Sequence, residues 1–406
     1  MTTLEPTPHP AADPVSDYDI FDPAFVADPY PTYAEIRSRC PVAHTDRHGG
    51  SWMPTTYEAL REIAKDTTTF SSDEILVFPT EVLPDDEPYA DVAAPPITSD
   101  PPEHGWARRL ILPFFSPDAV RPYEERTREL CNRLIDRFAD TGRADVGTDY
   151  AQQIPVRVIA AVLGVDDSQA DVFVGWVRAI LETGHADAER RLQARGELLA
   201  FFAAQMADRR ANPREDDLIT RLVQAEIDGE PLSDEHILGT CNLMLVAGID
   251  TTWSAIGSAL WHLAQHPEHR RQLRDDPELW PLAIEELLRA YAPVTMARVV
   301  TTDTTYAGCP MHEGDKVIMA FPAANRDPAV FEDPDVVQLD RLGNRHLAFG
   351  SGIHRCAGSN LARLELRVAT QVFLERIPDF ELVDPAAVTW AGGQVRGPRV
   401  CEVRWT

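Results

Sequence analysis

Between Ile237 and Leu263 the chain carries one formal charge, Asp250, and whatever it folds into must bury this run. Ser233 is a favourable N-cap, Asp234 and Glu235 complement the first turn, and Pro267 closes the far end. The pattern predicts one helix from about 234 to about 265, which at 1.5 Å per residue spans roughly 45–50 Å. A helix that is apolar on most sides has to lie at the centre of a large protein. Asn242, Asp250, three threonines and three glycines within the run suit a protein interior, and no 18 consecutive residues are apolar, so a membrane span is not expected.

The rest of the chain is organised around that helix. Helical periodicity recurs over Pro122–Ala139, Val156–Leu163, Ala194–Arg210 and Asp217–Glu226. Strand signals are fewer and shorter: His48–Pro54, Arg298–Asp303, Lys316–Phe321 and Val400–Trp405. The expected fold class is mainly α with a small β region. Residues 1–16, proline-rich and poor in apolar side chains, read as a flexible tail, and 17–406 as a single domain. The N-terminus lacks the basic start and apolar run of a secretion signal. Six scattered cysteines form no CxxC pair, which argues against a zinc ribbon or redox dithiol and fits a reducing cytoplasm. A net charge of −27 disfavours nucleic-acid binding.

The most informative loop is Phe349-Gly350-Ser351-Gly352-Ile353-His354-Arg355-Cys356-Ala357-Gly358. Its glycines permit a tight turn. Cys356 then stands at the start of an expected helix, Ala357 to Arg376, where free backbone N–H groups and the helix dipole favour a thiolate. Gly358 would let a flat cofactor approach, and Phe349 would pack beneath it. Gly350-Ser351-Gly352 begins like a dinucleotide fingerprint, but Arg355 occupies the third glycine position, and that reading is rejected. Within the long helix, Ala247-Gly248-Ile249-Asp250-Thr251-Thr252 sets an acid and two hydroxyls in an apolar element. A threonine hydroxyl bonding four residues back can bend the helix, and Gly248 would leave room for a groove.

Together these segments resemble the cytochrome P450 superfamily, specifically its soluble bacterial members, and the resemblance runs from Asp28-Pro29-Tyr30 to the last strand. It implies the haem-thiolate monooxygenase fold, with Cys356 as the proximal ligand of haem b iron and with Phe349, Gly350 and Gly358 around the cofactor. It implies that Asp250 and Thr251 manage protons during oxygen activation. Glu286 and Arg289 match an E-x-x-R helix and Arg341 its third member, a structural network supporting the cysteine loop. His104 and Arg108, one turn apart on one face, together with Arg298 and His346, match positions that bind the haem propionates.

The implied reaction inserts one atom of O2 into a small hydrophobic organic substrate, by hydroxylation or oxidative dealkylation. Substrate contacts are expected from Val77–Ala94, Phe173–His185, Leu243, Val246, Val294 to Ala297, and Gly392–Gln394. Peroxide-driven oxygenation and non-enzymatic haem sensing or carriage are the alternatives, and neither needs the Asp250–Thr251 pair. Only 50 residues follow Cys356 and no ferredoxin-type cysteine cluster occurs, so electrons are expected from an external ferredoxin and ferredoxin reductase. Arg108, Arg109, Arg355, Arg363 and Arg367 would form a local basic docking patch on an otherwise acidic monomer. His262 and His266 have metal-ligand spacing, but at a helix end they read as groups complementing the dipole.

Overall fold

The computed structural model describes residues 13–79, 92–215 and 217–406. Its axis is the helix Asp234–Gln265, 32 residues long and therefore about 48 Å. Ser233 caps it, its Oγ accepting from the His236 N–H at 3.2 Å. By length and composition this helix would cross a membrane, yet 78% of its apolar window lies inside the protein, so it is a core helix. Helices Gln153–Leu163, Ala170–Leu181, Ala188–Ala211 and Ser359–Arg376 pack around it. At Gly248 a Cβ would stand 2.7 Å from Ile159 Cγ1, so the glycine lets the neighbouring helix approach closely, while Gly248 itself stays partly open.

At the other end of the axis His262 is 1% exposed. Burial, aided by His266 and His269, pushes its imidazole pKa down to about 2. It is neutral and does not complement the helix dipole.

The predicted elements are present with shifted ends. Pro122–Ala139 is helical over Tyr123–Ile135, and Asp217–Glu226 over Leu218–Val223. The latter stops because Glu226–Ile227 pairs with Glu230–Pro231 across Asp228-Gly229, both at positive φ. The helix after Cys356 begins at Ser359, two residues later than expected. Of the expected N-terminal tail, residues 1–12 lie outside the described residues. Asp13 and Val15 are anchored, by Arg39 and by the His44 N–H.

One five-stranded sheet gathers distant segments in the order Val42–Thr45, Ser51–Pro54, Lys316–Ala320, Thr295–Val300, Phe70–Ser71. All its pairings are antiparallel except the parallel contact of Val317 with Trp52. Val317 lies opposite Arg298. Near the C-terminus the single expected strand is two, Gly397–Val400 and Glu402–Arg404, separated by the buried Cys401.

The E-x-x-R pair lies on helix Trp280–Ala290, and both side chains are fully buried. Arg289 holds Glu286 with two bonds of 2.8 Å, and Arg341 adds a third at 3.0 Å. The Gln338 N–H and the Asn344 amide complete the carboxylate's shell. Arg289 also donates to the carbonyls of Asn325, Pro334 and Val336. Asn325 Oδ1 in turn accepts from the Leu347 N–H at 2.6 Å, at the entrance to the cysteine loop. Removing one partner of a buried charge pair costs ~3–5 kcal/mol, against a total stability of ~5–15 kcal/mol. Glu286→Ala is therefore expected to lower the urea midpoint sharply and cut the yield of folded protein. A midpoint equal to that of the unmodified chain would contradict this reading of the network.

Candidate functional site

The loop carrying Cys356 is folded by its own backbone. Gly350 and Gly352 have φ of 69° and 70°, the left-handed region. A Cβ on Gly352 would lie 2.4 Å from the Ala64 carbonyl oxygen, so both the dihedral and the packing require glycine. The Cys356 N–H donates to the Phe349 carbonyl at 2.8 Å, closing the turn. Cys356 retains exposed surface yet is enclosed by protein, as befits a thiol lining an interior cleft. Burial raises its pKa, opposed by the Gly358 N–H and by Arg108, Arg355 and Arg363. A cation bound at sulfur would remove the remaining cost of the thiolate.

Beside this loop lies a cluster of nitrogen donors. His104, on helix Glu103–Ile111, sits edge-on to His354 with ring centroids 4.4 Å apart. Arg108, one turn further on, donates to the Arg355 carbonyl. Arg298 is 2% exposed, and burial pushes its pKa down to about 10. Burial also pushes His354 down to about 3, with Arg298, His104 and Arg108 adding to the effect. The carboxylate of this group is Asp100, which accepts from Ser71 Oγ at 2.5 Å and from the Ser72 N–H at 3.2 Å. His104 Nε2 is buried without a partner among the described residues. Such an excess of buried donors over acceptors suits a dianionic ligand.

Two of the sequence assignments fall elsewhere. His346 is not in the donor cluster. Its Nε2 contacts Glu285 at 3.1 Å, and Arg363 holds the same carboxylate at 2.6 and 2.8 Å. Against the upward push of burial, Arg363 and His346 hold the Glu285 pKa at about 2. The second histidine of the cluster, beside His104, is His354, inside the cysteine loop. Ala297 is likewise displaced. Successive strand residues face opposite ways, so Arg298 shares its face with Met296, whose sulfur is 3.6 Å from Arg298 Nη1. Ala297, 0% exposed, packs into the apolar layer with Tyr18, Ile36 and Met53. Phe349 lies under the guanidinium of Arg363, 4.3 Å from its ring centroid.

On the central helix the two polar neighbours are separated by burial. Thr251 Oγ1 donates to the Ala247 carbonyl at 2.8 Å, the back-bond that the sequence anticipates. Between Leu243 and Leu260 the partly open residues of this helix are Val246, Ala247, Gly248, Thr251 and Ala255, and Ala247, Thr251 and Ala255 are spaced by four residues on one stripe. Leu243, one turn before Ala247 on that stripe, is 8% exposed.

Asp250 is sealed, 0% exposed, and paired with Arg399 at 2.5 Å. Arg399 also bonds Ser254 Oγ at 3.0 Å and Glu182. Burial raises the Asp250 pKa to about 7 despite Arg399, whose charge Glu182 shares. The sequence alone flagged neither Arg399 nor Glu182 as a partner. Both line a cavity of about 550 Å³ together with Phe21, Arg178, His185 and Trp390.

The remaining substrate regions divide. Of Val77–Ala94, residues 80–91 lie outside the described residues. Phe173 is buried against Trp176 and Phe201. Val294 is partly exposed and bridges to Val395. Gln394 ties residues 75–77 to the sheet: its side chain bonds the Val77 N–H and the Ile75 carbonyl, and its own carbonyl accepts from Thr295. The expected basic patch is reduced, because Arg363 is committed to Glu285 and Arg367 to Glu124 at 3.0 Å. Arg109 and Arg355 remain exposed.

The family model for "Cytochrome P450" matches residues 156–382. The mycinamicin IV hydroxylase/epoxidase of Micromonospora griseorubida is 36% identical over 92% of this chain and 94% of its own length. The steroid C26-monooxygenase of Mycolicibacterium smegmatis is 34% identical over 96% of both. Among solved structures, CYP109E1 from Bacillus megaterium in complex with testosterone superposes with a TM-score of 0.85 at 29% identity, covering 94% of this chain and 98% of that one. With that extent of match to bacterial monooxygenases, laid over a buried axial helix and a glycine-built cysteine loop, the chain belongs to the cytochrome P450 family and is an oxidoreductase of that family.

Proposed function

We propose that this enzyme oxygenates an apolar, steroid-sized organic substrate, holding haem b through Cys356 and drawing electrons from an external ferredoxin. The observation that carries the cofactor assignment is the convergence of His104, Arg108, Arg298 and His354 beside the Cys356 loop. Those four side chains would hold the two propionates, and Cys356 would ligate the iron. Bound haem supplies an iron that binds and splits O2, one atom going to substrate and the other to water.

The chain's own residues do the rest. The partly open stripe of Ala247, Thr251 and Ala255, with Val246 and the buried Leu243 beside it, offers an apolar wall with one hydroxyl, which favours a hydrophobic substrate and excludes bulk water. Thr251 Oγ, bonded back to Ala247, can release that carbonyl to accept or donate at the open face. Asp250 titrates about neutral pH, so it can give up a proton and regain it from the Glu182–Arg399 cavity. When Asp250 is protonated, Glu182 keeps Arg399 paired, so no buried charge is stranded. This proton-handling pair favours an O2-driven monooxygenase over a peroxide-driven enzyme or a haem carrier.

Carbon monoxide added to the reduced protein tests the ligand. The red-shifted Soret band of thiolate ligation is expected, and it should be lost in Cys356→Ala. A histidine-type spectrum in folded protein would overturn the assignment. His354→Ala should release haem faster than His346→Ala, and the reverse order would return the propionate role to His346.

Proton supply is read from product formed per NAD(P)H consumed. Thr251→Ala should bind substrate normally while lowering that ratio and releasing peroxide. Protonated Asp250 is the donor, so turnover should fall as pH rises through about 7, and Asp250→Asn should be slower and lack that inflection. An unchanged ratio in Thr251→Ala would leave it only a helix-bending role, and an unchanged pH profile in Asp250→Asn would remove Asp250 from the proton path.

Electron entry is tested at Arg109, which is exposed and beside the donor cluster. Arg109→Glu should slow reduction by ferredoxin, and the wild-type rate should fall with added salt. If both rates are insensitive while haem content is normal, the docking face lies elsewhere.

A further inference from the structure

The C-terminal end of the central helix carries a second constellation, independent of the haem site. His262 lies in the last turn of Asp234–Gln265, His266 at the junction, and His269 in the first turn of the next helix, Pro267–Asp275. One ligand atom from each lies within 4.8 Å of the other two. The rings lie nearly parallel, at centroid distances of 4.2, 5.1 and 5.2 Å. His262 is buried, whereas His266 and His269 are partly exposed, which leaves a path in from solvent.

We propose that His262, His266 and His269 form a binding site for a borderline divalent transition-metal ion of the zinc type. Three neutral imidazoles are the donor set that such ions select. Zn–N bonds of about 2.0–2.1 Å place tetrahedral ligand atoms ~3.3 Å apart, so side-chain rotations that draw in a separation of up to 4.8 Å by ~1.5 Å, and open the 2.8 Å His262–His269 pair slightly, complete the site.

The surrounding groups already orient the rings as metal ligands are oriented. His266 Nδ1 is 2.8 Å from Glu268 Oε1, so a proton on Nδ1 leaves Nε2 free to ligate. His262 Nδ1 is 2.8 Å from the Tyr291 hydroxyl, which leaves its Nε2 for the metal. That Nε2 now lies 2.8 Å from His269 Nδ1. With a proton on Nδ1 of His262, the proton between the two rings belongs to His269. Its shift to His269 Nε2 frees both lone pairs, with no net proton release. The fourth position falls to water or to Glu268. The ion would clamp two helices to the segment after a third, since Tyr291 follows Trp280–Ala290. His262 is 12 residues from Asp250, about 18 Å along the helix, so binding is read in affinity and stability and not in turnover.

Tag-free holoenzyme, stripped with a chelator and titrated with zinc chloride by calorimetry, should take up one Zn2+ per chain. Excess Zn2+ should raise Tm by roughly 4 °C or more. His266→Ala and His269→Ala, at partly exposed positions, should keep the haem spectrum and bind Zn2+ more weakly by more than the ~10–100-fold that losing an outer-shell partner costs. Glu268→Gln should weaken it ~10-fold. Two results would overturn the site: no saturable uptake by the unmodified protein, or equal affinity in the His266 and His269 variants, which would place the zinc on unrelated surface acids.

Discussion

Glu286 is a carboxylate without solvent, and the cysteine loop depends on its being satisfied. Five donors from four residues converge on it: two from Arg289, and one each from Arg341, Asn344 and the Gln338 backbone. The stretch from 325 to 358 has no long helix or strand of its own. A chain with so little regular hydrogen bonding would leave many backbone groups unpaired in the interior. Arg289 supplies donors to three of those carbonyls, and Asn325 passes the constraint to Leu347. An apolar pair at 286 and 289 would pack as well but would leave those groups unpaired. The ion pair is retained for position, which is where a buried charge earns its desolvation cost.

The parts of this arrangement that the sequence made legible are those set by neighbours a few residues away. Ser233, Pro267 and the apolar run fixed the central helix to within a residue or two. Gly350 and Gly352 announced a left-handed turn, and Glu286 with Arg289 announced a shared helix face. Long-range partners were not legible. Nothing near Asp250 points to Arg399, 149 residues later, because a β-strand packed across the helix brings them together. His346 precedes the loop and His354 lies within it, and local sequence does not say which one turns toward Arg298.

Two other differences were recoverable from local rules. Arg298 fixes the parity of its strand, and period-two alternation then assigns Met296 and not Ala297 to the same face. Asp228-Gly229 is a hairpin signal that ends the preceding helix early. The acidic composition, by contrast, misdirected the view of the surface. In a chain of net charge −27, arginines on the outside find carboxylates, and Arg363 and Arg367 are held in pairs. Position in the sequence marks them as near the thiolate loop but says nothing about whether their charge is free.

Differences in burial explain how the central helix divides its labour. Thr251 and Asp250 are adjacent, so they point about 100° apart on a helix and meet different surroundings. Thr251 lies on the partly open stripe, with its hydroxyl tied to the backbone. Asp250 lies on the sealed side, where desolvation would keep it neutral unless a cation came close. Arg399 comes close, but Glu182 draws on the same guanidinium. Glu182 is also held by Arg178 at 3.0 Å, so two acids and two cations form one network, and burial still raises the pKa of Asp250, the acid with less solvent, at 1% side-chain exposure against 9% for Glu182. Arg399 is the cation in direct contact with Asp250, and its loss would raise the pKa of that acid further.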